Sequence, residues 1–343
     1  MKVSELCNAK VVRPLQSVAS VMVVAVGMSL APTLALAQGA DAGARAFPTK
    51  PVRIIVPFTP GGPTDIVSRM VSVEMTKALG QAVLVENMPG ANANLGAVHV
   101  QKSAPDGHTV LASTWGNVIQ PIVSKEANFS LQTDFAPVTL LYMSQYLMLA
   151  PSTMPYNDLR QANAYAKSNP GKISFGSPGN RSLIHISLEH WKRQAGLNIV
   201  HVQYKGEGDV VKALLSGEVQ LGVVSLVNGG PMIKGGRVKA IATPSPSRLP
   251  GYPDVQTFED IGVKDIDLWN YTGLHVPAGT PASAIQTLRS ASIGALNSAE
   301  TKKRFAEMGG VSVGNTAEEY GSFIAGEVRR WQGVVKSLGT EFE

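Results

Sequence analysis

The chain has a single cysteine in 343 residues, Cys7, and this scarcity excludes several kinds of site. Cys7 lies in an N-terminal segment that we expect to be removed on export. A mature chain without a thiol forms no disulfide, holds no metal through thiolate ligands and has no cysteine nucleophile. It also lacks the cysteine at the cleavage site that a lipoprotein anchor requires.

Long apolar runs are also rare. The run at residues 18–28 is shorter than the roughly 20 residues that cross a bilayer. Basic residues precede it, and the small-residue sequence Ala35-Leu36-Ala37 follows it. This arrangement is typical of a secretory signal peptide. We therefore predict that residues 1–37 are a signal peptide cleaved near Ala37 and that the mature protein is exported. A retained N-terminal anchor is the alternative.

Charge of one sign is not concentrated in any segment. The chain has 30 Lys and Arg residues against 25 Asp and Glu residues, a net charge of +5. The basic residues are scattered, and no basic stripe is interleaved with aromatic residues, so we predict no nucleic-acid partner.

Metal and cofactor motifs are missing as well. Among the six histidines, His185 and His190 are close in sequence, but residues five apart do not share a helix face. Gly61-Gly62 has neither the glycine order nor the Gly-Lys-Ser/Thr ending of a nucleotide-binding loop. We predict no metal and no cofactor.

Short apolar runs alternate with helical patterns, which is typical of α/β layers with largely parallel sheets. The predicted strands are residues 52–57, 82–85, 109–113, 173–175, 199–203, 221–225 and 238–243. The predicted helices are residues 66–79, 94–103, 157–168, 183–195, 208–216, 232–235, 282–296, 299–308 and 316–338.

Two longer apolar segments, residues 135–150 and 268–276, interrupt this alternation. The chain is longer than one hydrophobic core usually serves, so we interpret both segments as crossings between two lobes. We predict a discontinuous lobe I, residues 47–142 plus 267–343, with lobe II inserted as residues 143–266.

Two strand-to-helix junctions, one in each predicted lobe, are built from glycine and hydroxyl residues. The first reads Phe58-Thr59-Pro60-Gly61-Gly62-Pro63-Thr64-Asp65, and the second reads Gly176-Ser177-Pro178-Gly179-Asn180-Arg181-Ser182. Each should expose unpaired N–H groups at the positive end of a helix dipole, where glycine lets a ligand approach the backbone. Two such ends facing one another would hold an anion, most simply a small carboxylate.

Six motifs follow one another along the chain, at residues 57–65, 85–91, 104–108, 135–138, 202–206 and 277–281. In this order they resemble the Bug-type substrate-binding receptors of tripartite tricarboxylate transporters. The resemblance implies a two-lobe periplasmic binding protein, of a type II-like fold, with its ligand cleft between the lobes. It also implies that the protein captures a small organic carboxylate and presents it to the membrane subunits of such a transporter.

The resemblance assigns ligand contacts, partly through ordered waters, to the two glycine loops. The residues are Phe58, Thr59, Gly61, Gly62, Thr64 and Asp65 on one side and Gly176, Ser177, Gly179, Asn180, Ser182 and His185 on the other.

Several positions depart from the family pattern. Arg181 and Pro63 stand where glycine is common, and Gln220 and Ser225 stand where an acidic residue is often found. The Arg181 guanidinium either pairs with a ligand carboxylate or points to solvent. Losing the acidic residues favours ligands without an amino group.

A further candidate segment, Ser113-Thr114-Trp115-Gly116-Asn117, ends a strand that should lie beside the first loop. Trp115 either forms a wall of the pocket or packs in the core. Four residues near the predicted crossings are weaker candidates: Tyr142, Gln145, Tyr204 and Lys205. Tyr204 and Ser225 complete the candidate set.

Two polar side chains allow more than one role. Asp65 follows the first turn, where it would repel an anion if it faced the pocket, so we expect it to hold the loop. Ser182 and His185 lie three residues apart, which suggests a nucleophile pair, but no Gly-x-Ser-x-Gly elbow surrounds them. We expect His185 to donate to a loop carbonyl or to a ligand oxygen.

The sequence therefore predicts a monomeric, non-enzymatic periplasmic receptor for a small carboxylate. A receptor that feeds a sensor kinase and a secreted ester hydrolase remain as alternatives.

Overall fold

A computed structural model describes residues 47–339 of the chain, so the predicted signal peptide lies outside the described residues. The strands are β1 (Val52–Val56), β2 (Val83–Asn87), β3 (Thr109–Ser113), β4 (Phe135–Pro151), β5 (Ser174–Ser177), β6 (Val200–Gln203), β7 (Leu221–Ser225), β8 (Val238–Ala242), β9 (Trp269–Pro277) and β10 (Gly310–Ser312). The helices are α1 (Pro63–Leu79), α2 (Asn94–Gln101), α3 (Trp115–Val123), α4 (Leu159–Ser168), α5 (Leu183–Ala195), α6 (Glu207–Ser216), α7 (Leu226–Lys234), α8 (Ala282–Asn297), α9 (Ala299–Glu307) and α10 (Ala317–Leu338). None of the helices in this part of the chain combines the length and hydropathy of a bilayer span.

Local sequence explains where the helices that flank the cleft begin and end. Helix α1 begins at Pro63, whose fixed φ suits the first helical position, and ends at Gly80, which has a left-handed φ of 63°. Helix α5 begins after Ser182, whose hydroxyl accepts a hydrogen bond from the backbone N–H of His185, and ends at Gly196 with a φ of 61°. Both starts lie in the glycine junctions of the sequence.

Two sheets share the long strand β4. In the first sheet the order is β2-β1-β3-β9-β4, with β10 also on β4, and in the second it is β4-β7-β5-β6, with β8 also on β4. The part of β4 up to Gln145 pairs with β9, and the part from Tyr146 pairs with β7. The described residues therefore form two lobes, each built on one sheet.

The expectation of largely parallel sheets is wrong for the centre of the molecule. The outer pairs β1–β2, β1–β3, β5–β6 and β5–β7 are parallel, but β4 and β9 run antiparallel to each other and to the strands beside them. The reason is that β4 and β9 carry the chain between the lobes in opposite directions, rather than closing β-α-β units.

Both predicted crossings exist as strands. The chain changes sheet between Gln145 and Tyr146 on its way into lobe II, and β9 begins at Trp269 on its way back. The lobe boundaries at 142/143 and 266/267 stay a prediction. Two elements were not expected, the helix α3 and the short strand β10.

The C-terminal helix α10 packs behind the cleft on elements of both lobes. It contacts α3 and β4, and also α5 of lobe II. Trp331 of α10 is fully buried in a cluster that also contains Trp115 and Phe175. The guanidinium of Arg193 on α5 donates a hydrogen bond to the backbone oxygen of Ser337, at 2.6 Å. This helix therefore connects the two lobes.

Candidate ligand-binding site

A cavity of about 620 Å³ lies between the two lobes. Residues of both glycine junctions line it, together with parts of other loops. The lining residues of lobe I are 57–65, 89–93, 114–116, Ile119, Gln120 and Asn270, and those of lobe II are Tyr146, Pro178, 182–184, 205–208 and Asn228. The two junctions that the sequence singled out therefore face one shared cavity.

Helix N-termini surround this cavity. Residues at the start of α1, α2 and α3 line it from lobe I, and residues at the start of α5, α6 and α7 line it from lobe II. They converge because the chain leaves the carboxyl end of a strand and turns into a helix at the cleft. Each helix start carries about half a positive charge and unpaired N–H groups, so the cavity suits an anion.

The first glycine junction has a left-handed turn at Gly61, with a φ of 87°, followed by Gly62 as the helix N-cap. The backbone N–H of Gly61 donates to the Asp65 carboxylate at 3.0 Å. Within residues 47–339, nothing accepts a hydrogen bond from the backbone N–H groups of Gly62 and Thr64. The open donors of this loop therefore include those of Gly62 and Thr64, but not that of Gly61.

Asp65 is neutralised from several sides. The Arg69 guanidinium lies 2.9 Å from its carboxylate, and the Asn87 amide donates both to Asp65 and to the backbone oxygen of Phe58. Burial opposes ionisation, but these bonds and the one from Gly61 outweigh it and lower the pKa of Asp65. Asp65 therefore holds the loop, the role that its position in the sequence predicts.

Part of the second junction lies behind the cavity. The Ser177 side chain is fully buried, donates to the backbone oxygen of Gly179 at 2.9 Å and contacts the His201 ring at 2.7 Å. A side chain at Gly176 would approach the Tyr204 ring to 3.1 Å. Gly176 and Ser177, predicted to bind the ligand, are not among the cavity-lining residues; they shape the loop that carries Ser182.

Gly179, Asn180 and Tyr204 lie in an adjoining outer groove of about 820 Å³. The Tyr204 hydroxyl donates to Glu218 at 2.7 Å. The Asn92 amide donates to the backbone oxygen of Asn180 across the groove, at 3.4 Å. These contacts place the three predicted residues at the outside of the cleft, where the lobes meet.

Arg181 does not line the cavity. Its guanidinium donates to the backbone oxygen of Val123, at the end of α3, and its own backbone oxygen accepts from Gln120. The backbone of Arg181 is left-handed, with a φ of 56°. The Arg181 guanidinium therefore makes a bond between the lobes, and its contact with a ligand carboxylate stays a prediction.

The Nδ1 atom of His185 accepts a hydrogen bond from the backbone N–H of Arg181 at 3.0 Å, and a donation from the ring to a loop carbonyl or to a ligand oxygen stays a prediction. The ring stacks on His201 with 3.7 Å between centroids. Burial, aided by the charges of His201 and Lys192, lowers the pKa of His185 to about 3, so the ring is neutral near pH 7. The Ser182 hydroxyl accepts from the backbone N–H of His185. This pair therefore forms a helix cap, not the geometry of a nucleophile and its base.

The segment after β3 forms the start of α3. The Thr114 hydroxyl and the Asn117 amide make a reciprocal capping box, and Asn117 is fully buried. The Ser113 hydroxyl bonds His275, Tyr320 and the backbone of Gly273 in the core. Thr114 and Trp115 line the cavity, whereas Ser113 and Asn117 do not.

Trp115 fills both roles that the sequence left open. It lines the cavity, yet only 5% of its surface is exposed, and its ring meets that of Tyr271 edge to face at 5.0 Å. One edge therefore forms the wall of the cavity while the rest belongs to the core.

Comparison with known proteins identifies the family. The family described as tripartite tricarboxylate transporter family receptor matches residues 67–340. The chain belongs to this receptor family. A UPF0065 protein of Bordetella pertussis is 32% identical, covering 90% of this chain and 96% of its own. Protein BugT of the same organism is 29% identical, covering 89% and 94%. The resemblance to Bug-type receptors is thus confirmed.

Solved structures with bound dicarboxylates have the same fold as this receptor. MatC of Rhodopseudomonas palustris with bound malate has a TM-score of 0.76 at 31% identity, covering 84% of this chain and 99% of its own. The protein Rpa4515 of R. palustris with adipate has a TM-score of 0.78 at 26% identity, covering 85% and 98%. The predicted fold, a two-lobe periplasmic binding protein, is confirmed.

Several residues that line the receptor's cleft were not selected from the sequence. Asn92 and its neighbours Ala91 and Ala93 have consecutive left-handed backbones, a conformation that sequence patterns do not reveal for residues other than glycine. Glu207 follows Gly206, at a third strand-to-helix junction that also carries Lys205, a weaker candidate from the sequence. The spacing Gly206-x-Gly208 was the available signal, because it repeats the glycine-rich helix start of the other two junctions.

Charged side chains are few in the receptor's cavity. Among the described residues that line it, Lys205 is the one basic residue, and Asp65 and Glu207 are the acidic ones. Within residues 47–339, no group of three or more His, Cys, Asp or Glu side chains is placed to hold a metal ion. The positive character of the cleft therefore comes mainly from helix N-termini.

Proposed function

We propose that this receptor captures a small organic carboxylate between its lobes and delivers it to the membrane subunits of a tripartite tricarboxylate transporter. One observation carries the proposal: helix N-termini from both lobes line a single cavity. An anion that contacts both sets of N–H groups stabilises the closed arrangement of the lobes, because neither lobe alone offers both.

The chemical class of the anion follows from the same chemistry. Backbone N–H groups and hydroxyls bind carboxylate oxygens well, and the aromatic ring of Trp115 in the lining suits a carbon skeleton. MatC and Rpa4515 hold dicarboxylates, which supports this ligand class for their relative. A cavity of about 620 Å³ has room for a small metabolite of this kind.

We assign direct contacts to the predicted residues that line the cavity. They are Phe58, Thr59, Gly61, Gly62, Thr64, Thr114, Trp115 and Ser182. Asp65, Ser177, Arg181, His185 and Ser225 would act through the loops that they hold, because their polar atoms already bond protein groups.

The cellular setting belongs to the proposal as well. We infer that the signal peptide is cleaved near Ala37, that the mature protein works in the periplasm as a monomer, and that it is not an enzyme. Genes for a large and a small membrane subunit beside this one would support delivery to a transporter, whereas a neighbouring sensor-kinase gene would favour signalling. An ester hydrolase would show turnover of a chromogenic ester that Ser182→Ala abolishes; we expect no turnover.

Titration calorimetry with a panel of small carboxylates tests the site. We expect Gly62→Leu to weaken binding at least tenfold, about 1.4 kcal/mol, because the new side chain would cover the open N–H groups. The backbone tolerates it, since Gly62 has a φ of −76° and the atom nearest to a Cβ lies 3.9 Å away.

The matched control is Gly294→Leu on the exposed face of α8, where a Cβ would meet no atom within 4 Å. It should bind as the wild type does. Unchanged affinity in a folded Gly62→Leu protein would contradict the proposed site.

A further inference from the structure

Glu207 is the acidic side chain of the cleft that no basic side chain neutralises. Asp65, the other carboxylate in the lining, is paired with Arg69. Within the described part of the chain, no Lys, Arg or His side chain forms an ion pair with Glu207. A carboxylate in an anion-binding cavity repels the ligand unless it makes a specific contact with it.

The two oxygens of Glu207 have different surroundings. Oε1 accepts from the backbone N–H of Ser225 at 2.6 Å, from the Ser225 hydroxyl at 2.6 Å and from the Asn228 amide at 2.8 Å. No group in residues 47–339 donates a hydrogen bond to Oε2. Because Glu207 and Asn228 both line the cavity, the carboxylate is held in place by one oxygen and has an unused acceptor in the other.

The backbone around Glu207 favours its ionised form, although burial opposes ionisation. Glu207 is the first residue of α6, and Oε1 bonds the N-cap residue of α7, so two positive helix ends lie beside it. Burial raises the pKa of Glu207, and the bonds from Ser225 and Asn228 oppose that rise. Lys205 lines the same cavity. The N-termini of α6 and α7 and the side chain of Lys205 already supply positive charge. The unused acceptor Oε2 therefore suits a neutral hydrogen-bond donor of the ligand better than a second cation.

We propose that Glu207 Oε2 accepts a hydrogen bond from a hydroxyl group of the ligand, so that the receptor prefers hydroxycarboxylates to unsubstituted carboxylates of the same chain length. This inference rests on the proposed function and adds the substrate class. An unsubstituted ligand leaves a desolvated acceptor without a partner. A ligand whose second carboxylate falls beside Glu207 meets a like charge.

The experiment measures dissociation constants for matched pairs by calorimetry. Suitable pairs are malate and succinate, 3-hydroxybutyrate and butyrate, and citrate and tricarballylate. We expect the wild type to bind the hydroxylated member of at least one pair about tenfold more tightly, as one hydrogen bond to a charged group allows.

Glu207→Gln should reduce that ratio to near one. The glutamine carbonyl can take over the three donors of Oε1, which leaves an N–H donor where the wild type has an acceptor. The variant should therefore lose affinity for the hydroxylated ligand and keep or gain affinity for its partner. Asp209→Asn is the matched control, because Asp209 lies in the first turn of the same helix and pairs with Lys212, and it lines the outer groove but not the cavity that Glu207 lines. It should keep the wild-type ratio.

The outcomes separate this inference from the proposed function. A wild type that binds both members of every pair equally, or a Glu207→Gln protein that keeps the wild-type ratio, overturns the role of Glu207 and leaves the carboxylate receptor intact. A wild type that binds no carboxylate contradicts both proposals. If Glu207→Gln does not fold, Glu207→Asp is measured in its place, since withdrawing the carboxylate by one methylene should also reduce the ratio.

Discussion

Asp65 shows how an acidic residue serves an anion-binding loop without opposing the anion. Its carboxylate bonds the backbone N–H of Gly61 and the side chains of Arg69 and Asn87. The negative charge is thus neutralised within the protein, and the turn is fixed in the conformation that leaves the donors of Gly62 and Thr64 open.

We expect Asp65→Asn to lower the free energy of unfolding by about 1–3 kcal/mol, because charge-assisted hydrogen bonds are lost in a buried position. The folded-state pKa of Asp65 is lowered, so the wild type's advantage is full above the unfolded pKa of roughly 3.9 and is lost as the pH falls through the folded-state pKa. Chemical denaturation between pH 3 and pH 7 measures it.

The matched control is Glu74→Gln, which removes an i,i+3 pair with Lys77 from the exposed side of the same helix. A surface pair of this kind contributes little, so this variant should stay close to the wild type. An Asp65→Asn protein as stable as Glu74→Gln across the whole pH range would show that Asp65 does not hold the loop.

Residue types in the site were predictable, but their orientations were not. Gly61, Gly62 and Thr64 follow from the strand-to-helix signature alone. The side chains of Ser177 and His185 turn inward because His201, from the neighbouring strand β6, lies against both. Contacts between residues far apart in sequence decide such orientations, and no local pattern encodes them.

At the scale of elements, the loop between β5 and α5 is tied to α3 of the other lobe. Arg181 supplies both bonds, one through its guanidinium to Val123 and one through its backbone oxygen from Gln120. It does so from a left-handed backbone, which costs a residue other than glycine roughly 1–2 kcal/mol. These two bonds therefore join the loop between β5 and α5 of lobe II to α3 of lobe I, whose first turn lines the cavity.

Arg181→Ala should raise the rate of carboxylate dissociation several-fold, because the closed lobes lose a bond on the cleft side. Arg181→Gly should lose the same guanidinium bond, yet melt at a higher temperature than Arg181→Ala, since glycine adopts a left-handed φ without strain. Stopped-flow kinetics and thermal melting measure the two effects.

Exposed Arg160 on α4 provides the control, as Arg160→Ala, and should change neither quantity. Dissociation rates that are equal in the wild type and both Arg181 variants would contradict a role for this link in closure.

Most strands and helices follow from apolar periodicity, and the exceptions have physical causes. The predicted bounds of β3, β7 and α5 coincide with the structure. Helix α3 was missed because it is short and contains Pro121, although Thr114 and Asn117 form its capping box. The antiparallel centre was missed because the direction of β4 and β9 depends on which sheet each strand joins, and composition does not record that.

At the scale of the whole molecule, the lobes are joined on both sides of the ligand cleft. Strand β4 belongs to both sheets, and α10 packs on both lobes behind the cavity. On the open side, the bonds Asn92–Asn180 and Arg181–Val123 connect the lobes across the cleft. This arrangement allows a ligand to strengthen the open side while the back remains fixed.

The convergence of helix N-termini is the central claim, and a crystal structure with the tightest-binding carboxylate of the panel tests it most directly. We predict one carboxylate group within about 3 Å of the backbone N–H groups of Gly62 or Thr64. The rest of the ligand should contact the helix starts of lobe II, at residues 182–184 or 205–208. A ligand bound outside this cavity, or held by one lobe alone, would contradict the account.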